Sequence, residues 1–188
     1  MTGSLNLNFS KTALVLIDLQ KGIVRIPGGS KVVAQAARMV DFFHRKNGFI
    51  VFVNVDFTDG KEALHVIRDA PVFAAQLSEG WAELDPALDV QKSDLRITKR
   101  QWGAFFGTEL DLQLRRRGIE TIVLAGISTN RGVESTAREA FQFGYNQIFI
   151  EDAMTAHIPE EHQATVNYVF PNIGRVRTTD QLLSQMIE

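Results

Sequence analysis

Four short runs, residues 13–17, 49–55, 121–127 and 147–150, are almost continuously apolar, and stretches long enough for a helix separate them. A strand with one wet face alternates apolar and polar residues; these runs do not, so both of their faces are buried. Strands buried on both faces belong to a parallel sheet, and parallel neighbours need long crossover connections. The intervening segments supply them. Val32, Val33, Ala36, Ala37, Val40 and Phe43 recur at helical spacing, as do Leu110 and Leu114, then Val133, Ala137, Ala140 and Phe141. The fold class read from this pattern is α/β. Shorter strands are expected at residues 96–98 and 174–177. Gly48, Gly118 and Gly144 each follow a helical segment and precede a strand, so they are expected to be left-handed C-terminal caps.

With 188 residues, 45% of them hydrophobic and 22% charged, the chain can build one substantial core, and no repeat or linker divides it. We therefore expect a single domain over residues 1–188. A formal net charge of −2 with scattered basic residues argues against a nucleic-acid partner or an acidic membrane surface. The absence of cysteine excludes a disulfide framework, a thiolate metal site and a cysteine nucleophile. Residues 1–10 are polar without a basic leader, and no apolar run could span a bilayer, which fits a cytoplasmic protein acting on small molecules. Residues 58–95 are the least regular piece and read as an excursion over the sheet, the kind of segment that serves as a lid.

In an open α/β sheet, ligands bind beyond the carboxyl ends of the strands. Every strand end here is polar: Asp18, Asp56, Lys99, Ser128 to Gly132, and Glu151 with Asp152. Glu151 and Asp152 are read as a strand end and turn. Three separated motifs stand out, in order: Ala13-Leu14-Val15-Leu16-Ile17-Asp18-Leu19-Gln20; Thr98-Lys99-Arg100-Gln101-Trp102-Gly103-Ala104-Phe105-Phe106-Gly107-Thr108; and an elbow, Gly126-Ile127-Ser128-Thr129-Asn130-Arg131-Gly132, where an apolar strand stops, a tight polar turn follows and a helix is expected from Gly132. Together they resemble the isochorismatase-like hydrolases, over nearly the whole chain. The resemblance implies a three-layer αβα sandwich with a six-stranded parallel sheet in the order 3-2-1-4-5-6, and a cis peptide at Ile127-Ser128.

It also implies a chemistry. Most members place a nucleophilic cysteine where this chain has Gly132, with an aspartate at the position of Asp18 to deprotonate it and a lysine at that of Lys99. Without the thiol the usual acyl-enzyme route is closed. Ser128, Thr129 and Ser135 are the nearby hydroxyls, but no histidine close in sequence offers an activating base. True isochorismatases resemble this chain in having glycine at the elbow, and they hydrolyse an enolpyruvyl ether with no covalent intermediate. In that scheme Asp18 is the acid, Lys99 orients it, Gly132 leaves room for substrate, and amides near Ser128 and Gly132 receive negative charge at a helix N-terminus. The acid role requires that burial raise the Asp18 pKa more than Lys99 lowers it.

Trp102 and Phe105 are the expected aromatic wall of the pocket, with Phe106 in the core, and Ser128, Thr129, Asn130 and Arg131 are the expected substrate-binding residues of the elbow. Phe57 and Trp81 are weaker wall candidates, and Arg25, Arg68 and Arg131 are equivalent candidates for binding a substrate carboxylate. No cofactor is expected. No metal is expected either: nicotinamidase-like relatives carry histidines after the second strand, whereas Asp56-Phe57-Thr58 has none adjacent, and His44, His65, His157 and His162 have no ligand spacing. Relatives commonly form dimers or larger homo-oligomers. The expected function is hydrolysis of a small anionic metabolite, with enol-ether cleavage and pyruvate release as one form of it. The contrasting reading is a noncatalytic small-ligand-binding or interaction protein that retains the pocket. A Rossmann-type dinucleotide binder is disfavoured because Asp18-Leu19-Gln20-Lys21-Gly22 stands where a glycine-rich turn is needed.

Overall fold

The computed structural model describes residues 5, 7–69 and 78–185; residues 70–77 of the expected excursion, and the ends of the expected 1–188 domain, lie outside the described residues. The four apolar runs and the two shorter expected strands become β1 (Thr12–Ile17), β2 (Phe49–Val55), β3 (Leu95–Lys99), β4 (Thr121–Ile127), β5 (Asn146–Thr155) and β6 (Arg175–Arg177). All neighbours are parallel, in the order β3-β2-β1-β4-β5-β6. Successive side chains of a strand point to opposite faces, and each face has its own core. Leu14, Leu16, Ile50, Phe52, Val123 and Ile148 pack on one side, under α1 (Gly29–Arg45) and, near the C-terminus, α6 (Thr179–Gln185). Ala13, Val15, Ile17, Val51, Val53 and Leu124 pack on the other, under α2 (Leu110–Arg116) and α3 (Glu134–Gln142). A short helix α4 (Pro159–Ala164), a wide π-helical turn and α5 (Phe170–Ile173) complete that layer, with the Phe170 ring stacked on Phe149 at 3.9 Å between centroids.

Several local expectations change. Gly118 and Gly144 are left-handed, with φ of 64° and 83°, but after α1 the left-handed residue is Asn47 at φ 54°. Gly48 serves a different need: a Cβ there would lie 2.5 Å from the Phe9 ring. Strand β5 does not end at Glu151 and Asp152. Its register against β4 shifts between Leu124 and Gly126, the irregularity carries the strand on to Thr155, and Asp152 accepts hydrogen bonds from the N–H and hydroxyl of Thr179 at the start of α6. Phe141, expected on a core face, and Phe106, expected in the core, are both largely exposed. Among the described residues no helix is long and apolar enough to cross a membrane.

Candidate active site

β1 and β4 lie side by side at the middle of the sheet, and their ends define the site. Gly126 allows it: the residue pairs with Ile17 at φ 133°, and a Cβ would fall 2.1 Å from the Ile17 carbonyl oxygen, so only glycine lets the strands approach this closely. Immediately after Ile17 the chain turns with Asp18 at φ 53°, its N–H donating to Val53 O, and the carboxyl enters a buried position. Gln20 braces the same turn against β2, donating to Val55 O and accepting from Val55 N–H.

Lys99, the last residue of β3, is 1% exposed and extends past the end of β2 to Asp18. Its Nζ lies 2.8 Å from Asp18 Oδ2 and 2.6 Å from the Trp102 carbonyl oxygen, to which it donates. Burial pushes the Asp18 carboxyl up to about 6 from an ordinary 3.8, against the opposing attraction of Lys99. Asp18 Oδ1 is buried with no hydrogen-bond partner among the described residues.

The third component comes from the elbow. The Ile127-Ser128 peptide is cis. The helix was expected from Gly132, but its first turn begins earlier, as a wide π-type turn over Thr129–Val133 in which the Ser128 carbonyl accepts from both Arg131 and Val133 N–H. The extra width places Gly132 against the acid and the ammonium. A Cβ on Gly132 would lie 3.1 Å from Asp18 Oδ2, 3.1 Å from Lys99 Nζ and 3.1 Å from Ile17 Cγ2. Thus Asp18 and Lys99 converge on a position that carries no side chain. The Thr136 hydroxyl ties the elbow to the aromatic motif, donating to Gly132 O and accepting from Ala104 N–H.

A cleft of about 440 Å³ opens over this point. Asp18, Gly132, Ser128, Arg131 and Trp102 line it, as do Phe57 and Trp81, whose rings stack at 6.2 Å across the excursion. Arg68 also lines it, and Arg25 does not. Three candidates lie elsewhere. Phe105 is buried against Phe143 and Tyr145, because its N–H is tied to Glu139 on α3 and the chain turns its ring into the core. Thr129 is fully buried beneath the elbow, 2.8 Å from His162 Nδ1, so the hydroxyl acts within the scaffold. Asn130 is outside the lining, its Oδ1 buried without a partner among the described residues.

Some site residues escaped the sequence reading. His157 lines the cleft just beyond the true end of β5, a position hidden by the misplaced strand boundary. Arg100 and Gln101 also line it, and Arg100 is held by Glu62 of the excursion at 2.9 Å. Ile23, Leu64 and Val66 supply apolar walls from segments with no periodicity to reveal them. His162, 33 residues from Thr129, supports the elbow from α4, and burial pushes its imidazole below the ordinary value. No group of three or more His, Cys, Asp or Glu suited to holding a metal ion occurs among the described residues.

Comparison with known proteins agrees with this architecture. The chain is 58% identical over 188 residues to YwoC of Bacillus subtilis (strain 168), an uncharacterized isochorismatase family protein, with 99% of this chain and 100% of that one covered. It is 30% identical over 202 residues to the ureidoacrylate amidohydrolase RutB of Rhizobium rhizogenes (strain K84), covering 91% of this chain and 81% of the relative. A solved isochorismatase family protein from Burkholderia thailandensis superposes with a TM-score of 0.93 at 41% identity, over 99% of this chain and all (100%) of that one. The isochorismatase domain family itself matches residues 12–181, and the chain belongs to that family.

Proposed function

We propose that this protein is a hydrolase of small anionic metabolites that works without a covalent nucleophile, and that its reaction is cleavage of an enolpyruvyl ether. One observation carries the reading: Asp18 and Lys99 close to within 3.1 Å of the point where a Gly132 side chain would begin, and glycine leaves that point free of any side chain. A cysteine there would complete an amidase triad of acid, amine and thiol; glycine leaves the acid facing the cleft.

In this reading the Asp18 carboxyl, raised to about 6, carries a usable proton near neutral pH. Oδ2 is the oxygen that faces the vacant point, so it delivers the proton to the vinyl carbon, while Lys99 beside it positions the carboxyl. The electron pair of the double bond forms the new C–H bond, leaving an oxocarbenium ion at the ether carbon. Water adds there and loses a proton, and the resulting hemiketal breaks its C–O bond to release pyruvate and an alcohol. The elbow backbone supports negative charge on the substrate through first-turn N–H groups other than those of Arg131 and Val133, which already donate to Ser128 O.

The test is to incubate wild type and Asp18→Asn with isochorismate and follow pyruvate. The expected result is release by wild type and a loss of at least about 100-fold in Asp18→Asn, the usual scale of general acid catalysis. Release by neither protein removes this substrate, and equal release by both removes Asp18 as the acid.

A further inference from the structure

The cleft is more basic than the chain around it. Among the described residues its lining contains one carboxylate, Asp18, already paired with Lys99, and three guanidinium groups, Arg68, Arg100 and Arg131. The whole chain has a formal net charge of −2. Low-dielectric walls focus such a local excess and favour anions inside.

The three arginines are not equivalent. Arg100 is neutralised by Glu62. Arg68 and Arg131 have no carboxylate partner among the described residues. Of these two, Arg68 sits on the excursion, whereas Arg131 belongs to the elbow turn and immediately precedes Gly132. The Arg131 Cζ lies over the Trp102 ring, 5.8 Å from its centroid. Ring contact through the guanidinium face steadies the group and leaves its edge N–H donors available, in the fork that matches a carboxylate.

We propose that Arg131, steadied on Trp102, is the specificity residue that anchors a substrate carboxylate beside Gly132, so that the cleft selects small carboxylic acids over their neutral amides. This deepens the hydrolase reading and borrows from it only the statement that the bound acid is a substrate; the selection itself is a binding property.

The chain offers a direct probe, because its two tryptophans, Trp81 and Trp102, both line the cleft. Trp81→Phe keeps an aromatic ring against Phe57 and leaves Trp102 as the sole indole. In that background the emission midpoint is measured in titrations with benzoate, pyruvate and benzamide, with and without Arg131→Gln, Arg131→Lys or Arg68→Gln. We expect both acids to bind saturably, Arg131→Gln to weaken them by roughly tenfold or more, and Arg131→Lys to recover part of the loss, as for removal of a charge-assisted pair. Benzamide binding should not respond to Arg131, and Arg68→Gln should leave acid binding in place. The proposal is overturned if Arg131→Gln binds both acids as the parent does, if benzamide weakens equally, if the loss follows Arg68→Gln, or if neither acid binds the parent saturably. Arg131-dependent acid binding without pyruvate release from isochorismate would remove that substrate and leave this proposal standing.

Discussion

At Asp18 two physical effects oppose each other, and the direction of the result has a kinetic consequence. Burial disfavours the carboxylate more than Lys99 favours it, so the group titrates at about 6. An acid catalyst must be protonated, so kcat/KM should be highest below pH 6 and fall about tenfold per pH unit above it. A pH–rate profile that rises through that range would identify Asp18 as a base instead. The same value affects folding. Between about pH 4 and pH 6 the native state retains a proton that the unfolded chain, with a value near 3.8, has released. Native binding of the proton exceeds unfolded binding there, so the Asp18 contribution to stability falls as pH rises through that window. At this scale the sequence marked Asp18 by the end of an apolar run, whereas Lys99 and Gly132 were singled out by the family resemblance of the motifs that hold them; the structure brings the three together. The sequence was not informative in the irregular motif after Lys99, where no periodicity distinguishes exposed Trp102 from buried Phe105.

At the scale of elements, the site depends on braces between segments distant in sequence. Gln20 is fully buried and satisfies both the N–H and the C=O of Val55, joining the turn after β1 to the end of β2. Gln20→Ala leaves both backbone groups without that partner, and we expect a loss of about 1 to 3 kcal/mol, since stranding a buried polar group costs its desolvation. Urea denaturation should show a lower midpoint at unchanged slope; an unmoved midpoint would mean that water replaces the amide. On the other side of the cleft, α4 is tied to the elbow by Thr129 with His162, and the turn just after α4 is tied to α3 by Thr165 donating to Glu134. These braces were not legible, because a hydrogen bond spanning 31 or 33 residues leaves no local pattern. The strands themselves were, apart from β5, whose continuation through Glu151 and Asp152 depends on a register shift that composition does not encode.

For the whole molecule, periodicity gave the α/β class, whereas the strand order came through the family resemblance of three motifs, since many orders satisfy the same alternation. That order has a structural corollary. The sequence β3-β2-β1 fills one half of the sheet and β4-β5-β6 the other, and the chain crosses between them through the exposed turn at Gly118. Asp18, Lys99 and Trp102 belong to the first half, and Arg131 and Gly132 to the second. A protease site inserted at Gly118 should therefore be cleavable without loss of the particle: the two fragments should co-elute in size-exclusion chromatography and part only in denaturant, whereas separation in native buffer would show that the covalent turn is needed. The sheet would then act as a dimerisation interface between two peptides, each holding part of a cleft that neither contains alone, and the protein becomes a natural starting point for a split reporter whose signal records that two chains have met.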